Sequence, residues 1–346
     1  MFGGLLLLMR AGIGALAREP KYPGWAKLGM VLFGLGGFAF GPWMQHQAFG
    51  PWWAGFPFGT DMTDNKTARI QRLGYRKPAD VAEPDQLVLV EYVSGGRVAI
   101  ITLNRPHADN AITTELAAQL IEVFETVAAR SSVRVAILTG AGDRAFSVGG
   151  DLYQRKNMTK EQWLRQRLVF DRVLYTLRQL RRPIIAAVHG MAYGGGCEIA
   201  ISTDFIIASD DAVFGQPEAM VGLSAGGGSP VFLPRVLPPG KAMQMLMTGE
   251  AITAQEAHRL GMVNEIYPRT ELMPGVLSIA EKIANNSPTA VQAVKRAVQN
   301  GQGEPVEQAV AIMMDEHWRS VVHPDRVEGI RAFTEGREPT FPDPDF

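Results

Sequence analysis

Two glycine-rich loops in the middle of the chain, AFSVGGDL (145–152) and AVHGMAYGGGCEIA (187–200), constrain it more than any other feature. Glycine allows other groups to approach bare backbone N–H groups and enters left-handed conformations at no steric cost. A helix that starts at the second loop would point its unpaired N–H groups and positive dipole end at the same place. Donors converging in this way hold negative charge on a carbonyl oxygen, an effect worth about 2.7–4 kcal/mol per donor. Gly150 and Gly195 are the candidate donors, and Glu198 falls in the first helical turn after Gly195. A second carboxylate, Glu218, follows Gln216 and Pro217 and precedes another glycine-rich stretch, 222–228. Two carboxylates beside one such hole can divide the proton work, one as base and the other as acid.

Charge and cysteine usage remove several other chemistries. With 34 basic and 35 acidic residues, a net charge of −1 gives no electrostatic case for nucleic acid. Cys197 is the single cysteine, so no internal disulfide or thiolate cluster is expected. His46, His107, His189, His258, His317 and His323 are scattered without metal-ligand spacing. The expectation is metal-free chemistry in a reducing compartment.

The chain divides by composition. Residues 1–45 are apolar and read as a membrane-associated segment, interrupted by Arg10, Arg18, Glu19, Lys21 and Lys27. Its second apolar run, 28–43, holds about 16 uncharged residues, somewhat short of the roughly 20 that cross a bilayer. Trp25 and Trp43 bracket that run, and Phe49, Trp52, Trp53, Phe56 and Phe58 continue an aromatic belt of the kind found at lipid headgroups. Membrane contact is therefore expected through residues 1–58, with the alternative of a buried or interfacial extension. Residues 46–84 form an aromatic and then polar linker.

From residue 85 the pattern is α/β. Strands are expected at 87–93, 98–103, 133–138, 184–188, 205–208 and 212–214, with Gly95 and Gly96 turning the first pair. Helical spacing marks 113–130, where Thr114 is placed at the start, and 160–180. Beyond Gly240 helices gather at 242–247, 254–260, 271–284, 288–300, 305–319 and 325–333.

Six blocks in order carry a family resemblance: ITLNRPHADNAI (101–112), AFSVGGDL, AVHGMAYGGGCEIAISTD (187–204), FGQPEAMVGLSAGGG (214–228), TGEAITAQEAHRLGMVNEI (248–266) and VEGIRAFTEGREPTF (327–341). On these blocks residues 85–346 resemble the crotonase (enoyl-CoA hydratase/isomerase) superfamily. The resemblance implies an α/β fold, a crotonase-like β-β-α spiral with a helical C-terminal trimerisation region at 275–346, and a homotrimer or dimer of trimers. It implies an acyl-CoA thioester as substrate, with coenzyme A a part of that substrate and no separate cofactor. Gly150 and Gly195 match the oxyanion-hole donors, and Glu198 and Glu218 match the catalytic pair of the hydratases. Ala108, Asp109, Val148, Gly149, Asp151, Tyr153, Gly194 and Arg337 match substrate-lining positions.

The implied reaction adds water to a 2-enoyl-CoA, or dehydrates a 3-hydroxyacyl-CoA, through an oxyanion-stabilised enolate. Isomerisation of the double bond and thioester hydrolysis on the same site remain open, as does a membrane-tethered, non-catalytic acyl-CoA-binding scaffold. The chain departs from the hydratase pattern in two places. Tyr153 stands where many hydratases carry lysine, leaving Arg155 and Lys156 to meet the CoA phosphates, and Ala225 replaces a usual proline. The segment 227–249 is similar in part to carnitinyl-CoA dehydratase-like members and in part to acyl-CoA hydrolases of the superfamily. On residue chemistry alone Asp151 reads as a cap of its loop, His189 as a strand-end packing residue and Cys197 as a small packed residue. CoA thioesters place the catalytic part in the cytoplasm, with the N-terminal segment on the cytoplasmic membrane.

Overall fold

The computed structural model describes residues 84–343; the apolar segment 1–45 and, apart from Pro84, the linker 46–84 lie outside them. Among the described residues no helix is long and apolar enough to cross a membrane.

The chain enters as an antiparallel hairpin, β1 (Val88–Val93) and β2 (Val98–Leu103), registered from Val88 opposite Leu103 to Val93 opposite Val98. Ser94, Gly95 and Gly96 turn it, all with positive φ. Next come α1 (Thr114–Ala129), β3 (Val135–Gly140), β4 (Ala145–Ser147), α2 (Leu152–Arg155) and α3 (Lys160–Gln179). Then follow β5 (Ile184–Val188), β6 (Met191–Tyr193), α4 (Gly195–Ile201), β7 (Phe205–Ser209) and β8 (Val213–Gly215). After a 3₁₀ turn at Pro217–Val221 come α5 (Ser229–Val236), α6 (Pro239–Thr248), β9 (Ile252–Thr253), α7 (Ala254–Arg259) and β10 (Glu265–Tyr267). The C-terminal helices are α8 (Leu272–Asn285), α9 (Pro288–Gly301), α10 (Val306–Val321) and α11 (Pro324–Glu335).

Strands alternate between two sheets. The larger has the order β1-β2-β3-β5-β7-β10, and the smaller β4-β6-β8-β9. Each of β3, β5 and β7 lies in the large sheet and hands the chain directly to β4, β6 or β8 in the small one, which is the expected β-β-α spiral.

Parallel strands covered on both faces read as continuous apolar runs, and β3 and β5 are buried along their whole length. Their side chains still sort by the period of two. Ala99, Ile101, Ala136, Leu138, Ile184 and Ala186 join the core that holds Leu116, Leu120 and Phe124 of α1. Val98, Val135, Ile137, Ile185 and Ile207 pack instead on Leu272, Val276, Ala280 and Ala284, a four-residue ladder along α8.

Helix starts explain most of the boundaries. Thr113, not Thr114, caps α1, its side chain accepting from the Leu116 N–H at 3.2 Å. Thr114 is the first helical residue, and both its N–H and its hydroxyl donate to Gln154 Oε1. Thr159 and Gln162 form a reciprocal capping box on α3. Helix α5 is unexpected from a segment with two prolines. Pro230 sits in its first turn, where the missing N–H costs nothing, and only Pro234 interrupts the interior.

Helices α9, α10 and α11 leave an apolar surface on the single chain: Val294, Val298, Trp318, Val322, Ile330 and Phe333 are all exposed, Phe333 by 88%.

Candidate functional site

Strands β4, β6 and β8 lie side by side and parallel in the small sheet, with Ser147 beside Ala192 and Tyr193 beside Gly215. Their C-terminal ends therefore deliver three segments to one edge: Val148–Gly150, Gly194–Gly195 and Gln216–Glu218. Sequence reading missed β4 and β6 because each is three residues long and lies inside a segment read as a glycine-rich loop.

The first loop is sewn to the segment after β2. Val148 N–H donates to Asp109 O at 3.1 Å, Ile112 N–H to Gly149 O at 2.7 Å, and Asp151 N–H to Ile112 O at 3.0 Å. Asn110, with φ 54°, donates through Nδ2 to Ala141 O and Ala145 O, and Ser147 Oγ donates to Asn110 O. A Cβ on Gly149 would lie 2.6 Å from Gly195 N and 2.8 Å from Tyr193 O, so only glycine fits.

The second loop approaches from the other side. Gly194, at φ 51° and ψ −126°, donates to Gly215 O at 2.9 Å and receives the Glu198 N–H at 2.9 Å. A Cβ on Gly195 would stand 3.6 Å from Gly150 N, which places the two candidate donors next to each other. Neither the Gly150 nor the Gly195 N–H donates to a protein acceptor among the described residues.

The two glutamates are held differently. Glu198 is buried, and its Oε1 accepts from the Gly227 N–H at 2.6 Å and the Ser229 N–H at 3.2 Å, at the start of α5. Burial raises its pKa, while the Ser229 and Gly227 amides and the Arg167 charge pull it back. Glu218, on the 3₁₀ turn, has Oε1 3.1 Å from where a Gly194 Cβ would be. Burial is the main force that pushes its pKa up to about 7, and the Glu198 charge adds to it.

Gln216 joins the two supports. With its amide oriented to satisfy its neighbours, the nitrogen donates to Glu218 Oε1 and Oε2 at 3.1 Å and the oxygen accepts from Ser229 Oγ at 2.6 Å. The chain Glu218–Gln216–Ser229–Glu198 is thus continuous. Neither Gln216 nor Ser229 stood out from the sequence; the available signal was a Gly-Gly-Gly-Ser-Pro run opening a helix, whose free N–H groups attract a carboxylate.

The Arg155 guanidinium lies 2.6 Å from where a Gly150 Cβ would be, stacked 4.6 Å from the Trp163 ring centre and 5.0 Å from that of Phe170. The charges of Glu218 and Glu198 both act on it.

Other predicted residues take structural posts. Asp151 is a cap, as its chemistry suggests: Oδ1 accepts from the Tyr153 and Gln154 N–H groups and Oδ2 from Arg105 at 2.9 Å. Both oxygens thus serve the loop. Asp109 pairs with Arg144 at 2.9 Å, and Ala108 is buried beneath the 3₁₀ turn Pro106–Ala108. Tyr153 is exposed at the surface. Arg337 binds Glu328 and Glu335 within the C-terminal segment, so a single chain does not bring it to the loops. His189 is buried with Arg269, Asp211 and Asp143 as its charged neighbours; burial drives it down to about 4, and it stays neutral near pH 7. Cys197 is fully buried in the core, its thiol pKa pushed up by burial. Among the described residues no cluster of His, Cys, Asp or Glu is suited to a metal ion.

Comparison with known proteins agrees with this geometry. The family model for enoyl-CoA hydratase/isomerase matches residues 94–344. A short-chain-enoyl-CoA hydratase of Clostridium acetobutylicum is 37% identical over 243 residues, 70% of this chain and 93% of that protein. The carnitinyl-CoA dehydratase of Escherichia coli K12 is 37% identical over 250 residues, 71% of this chain and 95% of that protein. The crystal structure of an enoyl-CoA hydratase from Bacillus anthracis superposes with a TM-score of 0.72 at 34% identity, covering 74% of this chain and 99% of that one.

Proposed function

The chain belongs to the enoyl-CoA hydratase/isomerase family, and on that premise we propose that it adds water to a 2-enoyl-CoA, or removes it from a 3-hydroxyacyl-CoA, as an acyl-CoA lyase. The observation that carries this reading is geometric: Glu198, tethered by the Gly227 and Ser229 amides, and Glu218, near Gly194, accompany two backbone donors that meet no protein acceptor among the described residues.

The thioester oxygen sits between the Gly150 and Gly195 N–H groups. Glu198, its Oε1 fixed by two amides, keeps Oε2 for a water and accepts that water's proton as base. The water oxygen bonds to Cβ, the C=C electron pair moves toward the thioester, and the enolate oxygen is stabilised by the two donors. Glu218, protonated up to about pH 7, delivers its proton to Cα. Dehydration follows the same steps backwards. Coenzyme A is carried by the substrate, and none of these steps needs a separate cofactor.

A homotrimer, or a dimer of trimers, is part of this proposal; the apolar surface on α9–α11 supports it because so much exposed Val, Trp and Phe favours burial against another copy. Membrane contact through residues 1–58 rests on their sequence alone. Fractionating cells that express the full chain or residues 85–346 reads it out.

The deciding test is crotonyl-CoA followed at the enoyl-thioester absorbance, with free thiol assayed in parallel. Loss of the band without thiol supports hydration. Thiol release points to hydrolysis, and an unchanged band overturns the reading for this substrate class.

A further inference from the structure

We propose that Arg155 selects an acyl chain bearing a carboxylate, which its guanidinium receives just beyond the reacting carbons. The inference rests on the acyl-CoA reading of the site and names the class of acyl group.

Its basis is the state of the Arg155 side chain. The Nε donates to Gln166 Oε1 at 2.7 Å, and Gln166 is itself fixed, its Nε2 donating to Thr114 Oγ1 at 2.9 Å and Gln154 Oε1 at 2.7 Å. Trp163 and Phe170 hold the plane of the guanidinium by cation–π contact. Both Nη groups are left over: among the described residues they donate to no acceptor and form no ion pair within 4.0 Å. Partial burial disfavours the charge and lowers the Arg155 pKa.

Arg167 provides the contrast. Its guanidinium also acts on Glu198, yet it is occupied by Asp171 and by Gly226 O at 2.5 Å. Of these two arginines only Arg155 keeps a free planar fork, and a fork of paired N–H groups matches a carboxylate in two parallel hydrogen bonds.

Position sets where that carboxylate must be. The guanidinium fills the space a Gly150 side chain would occupy, so it lies beside one of the two donors for the thioester oxygen. It also sits in the field of both glutamates, between which Cα and Cβ would lie. A carboxylate one or two carbons past Cβ therefore reaches the Nη groups, and their positive charge offsets its repulsion by Glu198. A neutral alkyl chain would leave the same four N–H donors unpaired.

The test measures binding, so it does not depend on turnover. Full-length protein is titrated with glutaryl-CoA, with its monomethyl ester, which keeps the oxygens but loses the charge, and with 5-methylhexanoyl-CoA, which keeps the shape. Glutaryl-CoA is expected to bind at least about tenfold tighter than either neutral ligand. Arg155→Met should bring that ratio close to one, and Arg155→Lys should retain part of it. A wild-type ratio of one or less, or a ratio unchanged in Arg155→Met, overturns the inference. If crotonyl-CoA is hydrated while the ratio is one, this inference alone fails. If the ratio holds and no enoyl-CoA is hydrated, the proposed reaction fails and recognition of an acidic acyl group stands.

Discussion

The loops around Gly150 and Gly195 and the helices beyond Pro288 belong to one chain but are held by different means. The loops are locked by backbone hydrogen bonds between distant segments, and missing side chains are required at Gly149 and Gly196 because backbone already fills the space. The helices are tied by side-chain pairs, among them Lys295 with Asp204 and Arg296 with Glu316, and leave apolar side chains exposed to solvent. The candidate donors and both glutamates thus lie within one chain, whereas the C-terminal helices leave apolar side chains exposed on it. Substitutions should separate these two regions cleanly, activity responding in the first and assembly in the second.

The largest expected effect is on turnover. Glu198→Gln keeps an oxygen for the Gly227 and Ser229 amides, so the fold should survive while kcat for hydration falls about 10²–10⁴-fold. A variant with near-normal kcat would break the assignment of the loops as the reacting centre.

Adjacent glycines sharpen the point. Gly196→Ala drives a methyl into the Ser147 carbonyl and should cost about 3 kcal/mol or more, seen as a large drop in Tm. Gly195→Ala meets nothing closer than 3.5 Å, so it should fold normally and lose about a hundredfold in kcat by crowding the donors. Equal Tm losses in the two variants would contradict the packing described for the loops.

Glu218 links activity to pH. Its folded pKa near 7 exceeds that of an unfolded glutamate, near 4.3, so the native state binds the proton more tightly. Its contribution to stability is fully present below about pH 4 and is lost as pH rises toward 7, by about 1–3 kcal/mol after allowing for partial exposure. Glu218→Gln should therefore melt higher than wild type at pH 8 and equal to it near pH 4. Hydration by wild type should decline above pH 7 as the acid form disappears. A flat difference in Tm across that range would refute the shift.

Smaller effects follow. Ser229→Ala strands the Gln216 oxygen and should cost about 1–2 kcal/mol, with kcat reduced roughly tenfold as Glu218 loosens. Val298→Glu, at an exposed position, should leave the stability of one chain within about 0.5 kcal/mol yet lower the mass seen by light scattering. Unchanged assembly would mean that the apolar surface on α9 is not buried by a second copy.

Legibility in the sequence followed local physics. The two glutamates, the two glycines offered as candidate donors and the long amphipathic helices stood out because each announces itself within a few residues: a turn, a cap or a 3.6-residue period. Strands β4 and β6 did not, since Ala145–Ser147 and Met191–Tyr193 are short and lie inside the glycine-rich segments that read as loops. Gln216 and Ser229 were missed because their roles exist only across 12 residues of intervening chain, where the entry to α5 brings its amides to Glu198. For Arg155 the sequence suggested only a cation near the CoA phosphates; its stacking on Trp163 and Phe170, one helix later, is a contact between segments that no short window shows.

By itself the sequence determined which backbone positions had to be bare, which carboxylates were available, and that strand–helix alternation would end in a helical layer. Those are properties of single residues and short windows, where steric freedom, charge and periodicity act directly. Tertiary structure alone decided that β4, β6 and β8 end at one edge, that one glutamate is tethered by amides while the other is pushed up to about 7, and that Arg155 keeps a free fork beside Gly150. Each of those depends on desolvation and on contacts between segments far apart in sequence, and burial of a charge is a property of its surroundings rather than of the residue.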